Sequence, residues 1–178
     1  MVGGQTAAGP QATVLSTAAD GSGHGWAEEN PAPVPLRVAT LAGCTLADKI
    51  YVLGGAPARF LCYDPATKCW DDGLPQHPLR SQAAHMATHD GAVWVMGGGV
   101  IIDEQANPAA RGDTRQYSTA VHSYTPGAAG WQAHPDMPTE QCWGAAWSYD
   151  GRLLAIGGAH RDRSAGTYLF DNRIFAKI

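Results

Sequence analysis

The chain lacks a long apolar run and a block of basic residues, and charged residues make up only 16% of it. A membrane-spanning helix needs about 18 consecutive apolar residues, so no such helix is expected. Lysine and arginine total 12 against 16 acidic residues, which argues against a nucleic-acid partner. The first residues, MVGGQ, do not resemble a secretion signal. We therefore expect a cytoplasmic protein, with a nuclear location as the alternative.

Cysteine is scarce and irregularly spaced, and potential metal ligands are not clustered. We interpret the four cysteines as reduced, packed as small apolar residues, in preference to a disulfide framework; they are Cys44, Cys62, Cys69 and Cys142. His85 and His89 fall on one predicted strand, where a separation of four residues places them about 13 Å apart. That distance is too long for one metal ion, and an imidazole at His89, directly before a turn, is expected to be exposed. No metal or cofactor is expected.

Glycine, by contrast, is abundant, and eight glycines form four pairs at the ends of short apolar runs: Gly3-Gly4, Gly54-Gly55, Gly97-Gly98 and Gly157-Gly158. The segments before the last three pairs align without a gap. They read TLAGCTLADKIYVLGG (40–55), AAHMATHDGAVWVMGG (83–98) and WGAAWSYDGRLLAIGG (143–158). Recurrence over tens of residues indicates a repeat protein.

Aromatic residues follow the same period. A tryptophan comes after each of the first three glycine pairs, and a tyrosine precedes two of these tryptophans by the same spacing. The residues concerned are Trp26, Trp70 and Trp131, with Tyr63 and Tyr124. The last copy has Phe170 at the tyrosine position, and no tryptophan follows it.

Each unit is predicted to contain four short strands, a to d. Asp90-Gly91 and Asp150-Gly151 lie between apolar runs and indicate two-residue hairpins between strands a and b. The glycine pair ends strand b, a loop of variable length leads to strand c, and strand d carries the tryptophan. Because a four-stranded meander cannot bury both faces alone, successive units must stack, and radial stacking gives a propeller.

These features resemble the kelch repeat, whose period is about 50 residues. The resemblance covers the chain from Gly3 to about Asp171 and implies an all-β, β-propeller fold of four-stranded kelch blades, with about three to four blades and an incomplete ring. We expect a single domain, 1–178, divided into a partial blade (1–33), a blade (36–77), a blade with a long b–c insertion (79–137) and a partial blade (139–178). The last unit is expected to lack strand d.

Two interpretations of the incomplete ring stay open. The chain is either a piece of a longer propeller protein or a short protein that closes a ring by self-association. The blade number of the functional ring and the presence of a dimerising adaptor domain upstream are not determined by these residues.

Most arginines are predicted to lie on one rim, where the b–c loops and d–a links emerge. Arginine suits bidentate capture of carboxylate or phosphate groups. The hypothesis is a rim that binds an acidic or phosphorylated peptide through Arg37, Arg59, Arg80, Arg111, Arg115, Arg161 and Arg163. The alternative is a solvated rim neutralised by the acidic residues of the same loops, which are Asp103, Glu104, Asp113 and Asp162.

The glycines, tyrosines and tryptophans of the repeat are interpreted as structural. Trp143 and Trp147 are expected to share one strand face and to pack between blades, in preference to forming a carbohydrate platform. The resemblance implies a protein-interaction module, not an enzyme, serving as a scaffold or as the substrate-recognition part of a ubiquitin-ligase adaptor. The alternative it implies is a kelch-like propeller enzyme of the copper oxidase or sugar-acid epimerase type. The partner's identity stays open.

Overall fold

The computed structural model describes most of the chain, and all regular structure in the described ranges is β-strand. These ranges are 2–18, 25–33, 41–55, 58–101, 115–158, 167–170 and 175–177. Within them, no helix has the length and apolar character needed to cross a membrane.

The strands form four successive meanders. The first sheet contains β1 (Val2–Thr6), β2 (Gly9–Ser16) and β3 (Ala27–Glu29), and the second contains β4 (Ala42–Leu46), β5 (Lys49–Gly55), β6 (Ala58–Asp64) and β7 (Cys69–Asp71). The third starts with β8 (His85–His89) and β9 (Ala92–Met96), continues after a ribbon of β10 (Gly99–Ile101) and β11 (Arg115–Tyr117), and ends with β12 (Val121–Tyr124) and β13 (Gln132–His134). The fourth contains β14 (Ala145–Tyr149), β15 (Arg152–Ile156), β16 (Thr167–Phe170) and β17 (Phe175–Lys177).

The hairpins between strands a and b have the geometry that their sequences predict. Asp90 and Gly91 have φ angles of 47° and 71°, and Asp150 and Gly151 have 50° and 69°. Both central residues of a type I′ turn need positive φ, which matches the right-handed twist of the flanking strands. The all-β fold of four-stranded antiparallel sheets, expected of a partial propeller, is confirmed.

The prediction that the last unit lacks strand d was wrong. Phe175–Lys177 forms β17, which pairs antiparallel with β16 and completes a four-stranded sheet. A three-residue strand without the tryptophan that marks strand d elsewhere carries too little pattern to be recognised in sequence. The proposed unit boundaries otherwise stay a prediction.

The core lies between successive sheets. Tyr51, Leu53 and Phe60 of the second sheet are buried in one cluster with Val93 and Val95 of the third. The Phe60 ring also contacts Trp131, with centroids 4.8 Å apart. Each large apolar side chain that is fully buried contributes about 1.5–3 kcal/mol, so the packing of neighbouring sheets is the main stabilising term.

The strand d tryptophans connect neighbouring sheets. The indole nitrogen of Trp70 donates to the carbonyl of Asn30 at 3.1 Å, and that of Trp131 donates to the carbonyl of Pro75 at 2.8 Å. Each acceptor lies in the link that leaves the preceding sheet. Trp26 of the first sheet has no described preceding link and is 62% exposed. The tryptophan of strand d therefore connects its own sheet to the preceding sheet through an indole hydrogen bond.

The cysteines are free, as interpreted from the sequence, but their environments differ. Cys62 and Cys142 are buried, Cys44 is half-buried, and Cys69 is exposed, in contrast to the packed state expected of all four. Burial raises the pKa of the Cys44 thiol to about 12, which makes it unreactive at neutral pH.

The glycine pair of the third sheet lies where backbone segments approach closely. Gly98 has a φ of 90°, and its N–H donates to the carbonyl of Gln141 at 2.7 Å. A Cβ atom placed on Gly98 would lie 2.8 Å from the carbonyl oxygen of Gln82 and 3.0 Å from the Cβ of Ala84. Glycine is required here for both conformation and space.

We expect Gly98→Ala to lower the free energy of unfolding by about 3 kcal/mol, because strained φ and a backbone clash add together. Gly127→Ala is the matched control, since Gly127 has a φ of 85° but open space around its Cβ position. The control should cost about 1 kcal/mol. Urea unfolding of both variants measures the difference, and equal losses would contradict the role of close approach.

Candidate functional site: the b–c rim

The loops on one side of the sheets form a surface that we call the b–c rim. It comprises the end of the β5–β6 hairpin, the base of the β10–β11 ribbon, and the links 80–84 and 140–144 that precede β8 and β14. Side-chain and backbone hydrogen bonds hold these parts together. Gln82 donates from Nε2 to the carbonyl of Gly55 at 3.1 Å, and its backbone exchanges hydrogen bonds with Gly99.

The d–a links are fixed to strand c of their own sheet or to the segment that leads into it. Ala32 donates its N–H to the carbonyl of Ala12, and Met137 donates to the carbonyl of Thr119, both at 2.8 Å. In the second sheet the Gln76 side chain performs this role, because its Oε1 accepts from the N–H of Phe60 at 2.8 Å. These hydrogen bonds therefore fix the backbone conformation of the links, and with it the positions of the side chains that the links carry.

The structure describes the side chains of two of the seven predicted rim arginines, Arg59 and Arg80. Arg115 lies on β11, and only its backbone is described. Arg37, Arg111, Arg161 and Arg163 lie outside the described residues, as do the acidic residues proposed to neutralise the rim, Asp103, Glu104, Asp113 and Asp162.

Arg59 and Arg80 form no ion pair among the described residues. Arg59 is half-buried, and its Nη2 donates to the carbonyl of Asp72 at 3.5 Å, a long contact. Arg80 is exposed, with its backbone in a left-handed conformation at a φ of 47°. The guanidinium groups thus keep donors available for a ligand.

The two lysines of the opposite rim are paired, whereas Arg152, which follows the β14–β15 turn on that rim, forms no ion pair among the described residues. Lys49 lies 3.4 Å from a carboxylate oxygen of Asp64, and Lys68 lies 3.0 Å from one of Glu29. A hydrogen bond from Ser16 and then the contact with Lys68 hold the pKa of Glu29 below its ordinary value. The described lysines of the opposite rim therefore have less available positive charge than Arg59 and Arg80 have.

Two aromatic residues, Trp143 and Tyr117, contribute to the b–c rim, and the sequence did not indicate Trp143 there. Trp143 precedes β14, has a φ of 58°, and donates its backbone N–H to the carbonyl of Ala83 at 2.8 Å. Its ring is 45% exposed and contacts Tyr117 edge-on, with centroids 6.0 Å apart. The expectation that Trp143 and Trp147 share a strand and pack between sheets was wrong, because Trp143 lies before the strand and both rings are exposed.

His77 organises the turn that carries Arg80. Its backbone carbonyl accepts from the N–H of Arg80 at 2.9 Å, and its Nδ1 lies 3.4 Å from the N–H of Ser81. Burial, assisted by the neighbouring His122, lowers the pKa of His77 to about 3. The imidazole is consequently neutral, as an acceptor at Nδ1 must be.

The expectation that the imidazole of His89 is exposed was wrong. His85 is fully buried against Gly144, and His89 is 5% exposed, with its Nδ1 2.9 Å from the Ser148 hydroxyl of the next sheet. A neighbouring sheet covers the turn, which the local sequence could not indicate. Across the described residues, no three metal-ligating side chains are grouped.

Two clefts also lie between sheets. One of about 320 Å³ separates the first and second sheets and includes Trp26 and Tyr63. Another of about 350 Å³ separates the second and third and includes Lys49, Cys69 and Tyr124. Neither cleft is lined by Arg59 or Arg80.

Comparison with known proteins identifies the class of fold. The solved structure of YjhT superposes with a TM-score of 0.67 at 16% identity, covering 95% of this chain and 52% of that one. Together with the successive four-stranded meanders, this defines the chain as a partial β-propeller.

Sequence comparison supports the kelch resemblance. Kelch-like protein 35 of Mus musculus is 26% identical over 112 residues, which are 63% of this chain and 17% of that protein. Kelch repeat and BTB domain-containing protein 12 of Homo sapiens is 26% identical over 147 residues, which are 72% of this chain and 23% of that protein. No family model matches the chain. The chain spans about a fifth of the length of these relatives.

We expect His77→Gln to flatten the pH dependence of stability. Between the ordinary histidine pKa of 6.5 and the folded value of about 3, the unfolded chain binds a proton that folded His77 does not. Stability is therefore complete above pH 6.5 and falls as the pH drops, by up to about 1.4 kcal/mol per pH unit for this residue. Urea unfolding at several pH values measures the slope, and an unchanged slope in His77→Gln would contradict this assignment.

Proposed function

We propose that this chain is a protein-interaction module that binds an acidic or phosphorylated peptide segment on its b–c rim. The observation that carries the proposal is that Arg59 and Arg80 lack ion pairs among the described residues, whereas Lys49 and Lys68 of the opposite rim are paired. Free guanidinium groups bind carboxylate and phosphate groups in a bidentate manner.

The aromatic residues of the rim support the same proposal. Trp143 is partly exposed beside Tyr117, at the base of the β10–β11 ribbon. Tryptophan, tyrosine and arginine are the residues that dominate binding energy at protein interfaces. Loops held on a rigid sheet scaffold are the usual location of such residues.

We further propose that the arc is the substrate-recognition part of a larger adaptor of the ubiquitin-ligase type. The resemblance to a kelch repeat and BTB domain-containing protein supports this proposal, although the likeness covers only 23% of that protein. A non-catalytic role fits the rim, whose described side chains offer donors and aromatic faces and do not converge as a nucleophile with a base.

An acidic peptide tests the proposal directly. The probe is a fluorescein-labelled peptide rich in aspartate and glutamate, compared with the same peptide carrying phosphoserine. We expect Arg80→Ala and Arg115→Ala each to weaken binding about tenfold, because a hydrogen bond to a charged group contributes about 1.5–3 kcal/mol. Arg80→Lys should also weaken binding, since lysine lacks the planar fork. Fluorescence anisotropy measures the affinities.

The matched control is Lys68→Ala, which removes a cation of the opposite rim that is paired with Glu29. This variant should bind the peptide as the original chain does. Equal affinity for all variants, or absence of binding by the original chain, would refute the rim as the binding surface.

A further inference from the structure

The fourth sheet presents an apolar face that no described residue covers. Trp147 is 63% exposed, Tyr149 is 73% exposed and Ile156 is 38% exposed. The strand register places Trp147 opposite Leu154, and Tyr149 opposite Arg152, so these side chains lie on one face of the sheet. We call this surface, formed by Trp147, Tyr149, Arg152, Leu154 and Ile156, the open face.

The equivalent positions of the preceding sheets are covered. Trp147 and Ile156 align with Ala87 and Met96 of the third sheet, which are 6% and 0% exposed because the fourth sheet packs on them. In the second sheet, the residue equivalent to Ile156 is Leu53, which is 1% exposed against the third sheet. The equivalent face of each preceding sheet is thus buried by the sheet that follows it. The open face is therefore of the kind that packs against another sheet.

The first sheet offers a surface of suitable chemistry. Val2 packs toward the second sheet and pairs with Val14, so Leu15, the next residue of β2, lies on the other face of the first sheet. Leu15 pairs with Glu28 of β3, which is exposed. The negative charge of Glu28 complements the positive charge of Arg152 on the open face, and neither residue forms an ion pair within the described part of the chain.

We propose that the open face binds the first sheet of a second copy of this chain, so that two copies associate head to tail. The solved propeller of YjhT supplies the geometric argument, since nearly all of this chain matches 52% of that one. Two arcs that each match about half of that propeller have together about the extent of one complete ring. A head-to-tail contact that closes on itself gives a ring instead of a filament.

The test is the molecular mass of the full chain in solution, measured by light scattering and sedimentation equilibrium over a wide range of concentration. We expect a dimer. Trp147→Glu should weaken association about 30-fold or more, as expected for an aromatic residue at the centre of an interface. Because the ring is exposed, circular dichroism and thermal unfolding should show a folded variant. Ala128→Glu, which adds the same charge in an exposed turn of the third sheet, is the matched control and should remain dimeric.

A charge exchange tests which surfaces meet. Arg152→Glu should weaken the dimer about fivefold, and the added substitution Glu28→Arg should restore it. Failure of the double variant to recover would overturn the head-to-tail arrangement, because two open faces packed on each other would not involve Glu28. A monomeric original chain would overturn the proposal entirely. Neither result bears on the peptide assay, which concerns the b–c rim.

Discussion

Burial of each sheet between its two neighbours is the constraint on which this arc depends. A short meander has apolar side chains on both faces, and it is stable only when both faces lose contact with water. In the second and third sheets this condition is met, and residues such as Phe60 and Val95 are fully buried. Where no neighbour is described, as at Trp147, the same repeat position remains exposed. Exposure in this chain therefore depends on the position of a sheet in the series more than on residue type.

Two kinds of contact hold neighbouring sheets close enough together to bury their facing side chains. On the outer strand, the indole of Trp131 donates to the carbonyl of Pro75 in the preceding link. At the end of strand b, Gly98 allows the backbone to approach the segments that lead into strands a of its own and the following sheet. Side chains in the glycine positions would separate these segments. The same close approach fixes the links that carry Arg80 and Trp143, so the rim's geometry is a consequence of how the sheets pack.

The repeat itself could be predicted because its signals are local. Positive φ at Asp90-Gly91 and the alternation of the flanking strands are properties of a few adjacent residues. The fourth strand of the last sheet, Phe175–Lys177, was missed because pairing with β16 defines it and its three residues carry no motif. The burial of His89 was missed for a related reason, since Ser148 and the sheet that carries it are distant in sequence.

The class of fold and the strand order within a unit could be inferred from the residues alone, because they follow from turn chemistry and from a period repeated along the chain. The packing of the sheets was needed to show which cations are paired, where Trp143 is placed and which face of the last sheet is uncovered. Ion pairs such as Lys68 with Glu29 join neighbouring sheets, and the exposure of a side chain depends on what packs against it. Those relations arise between units and are not encoded in the pattern of any single unit.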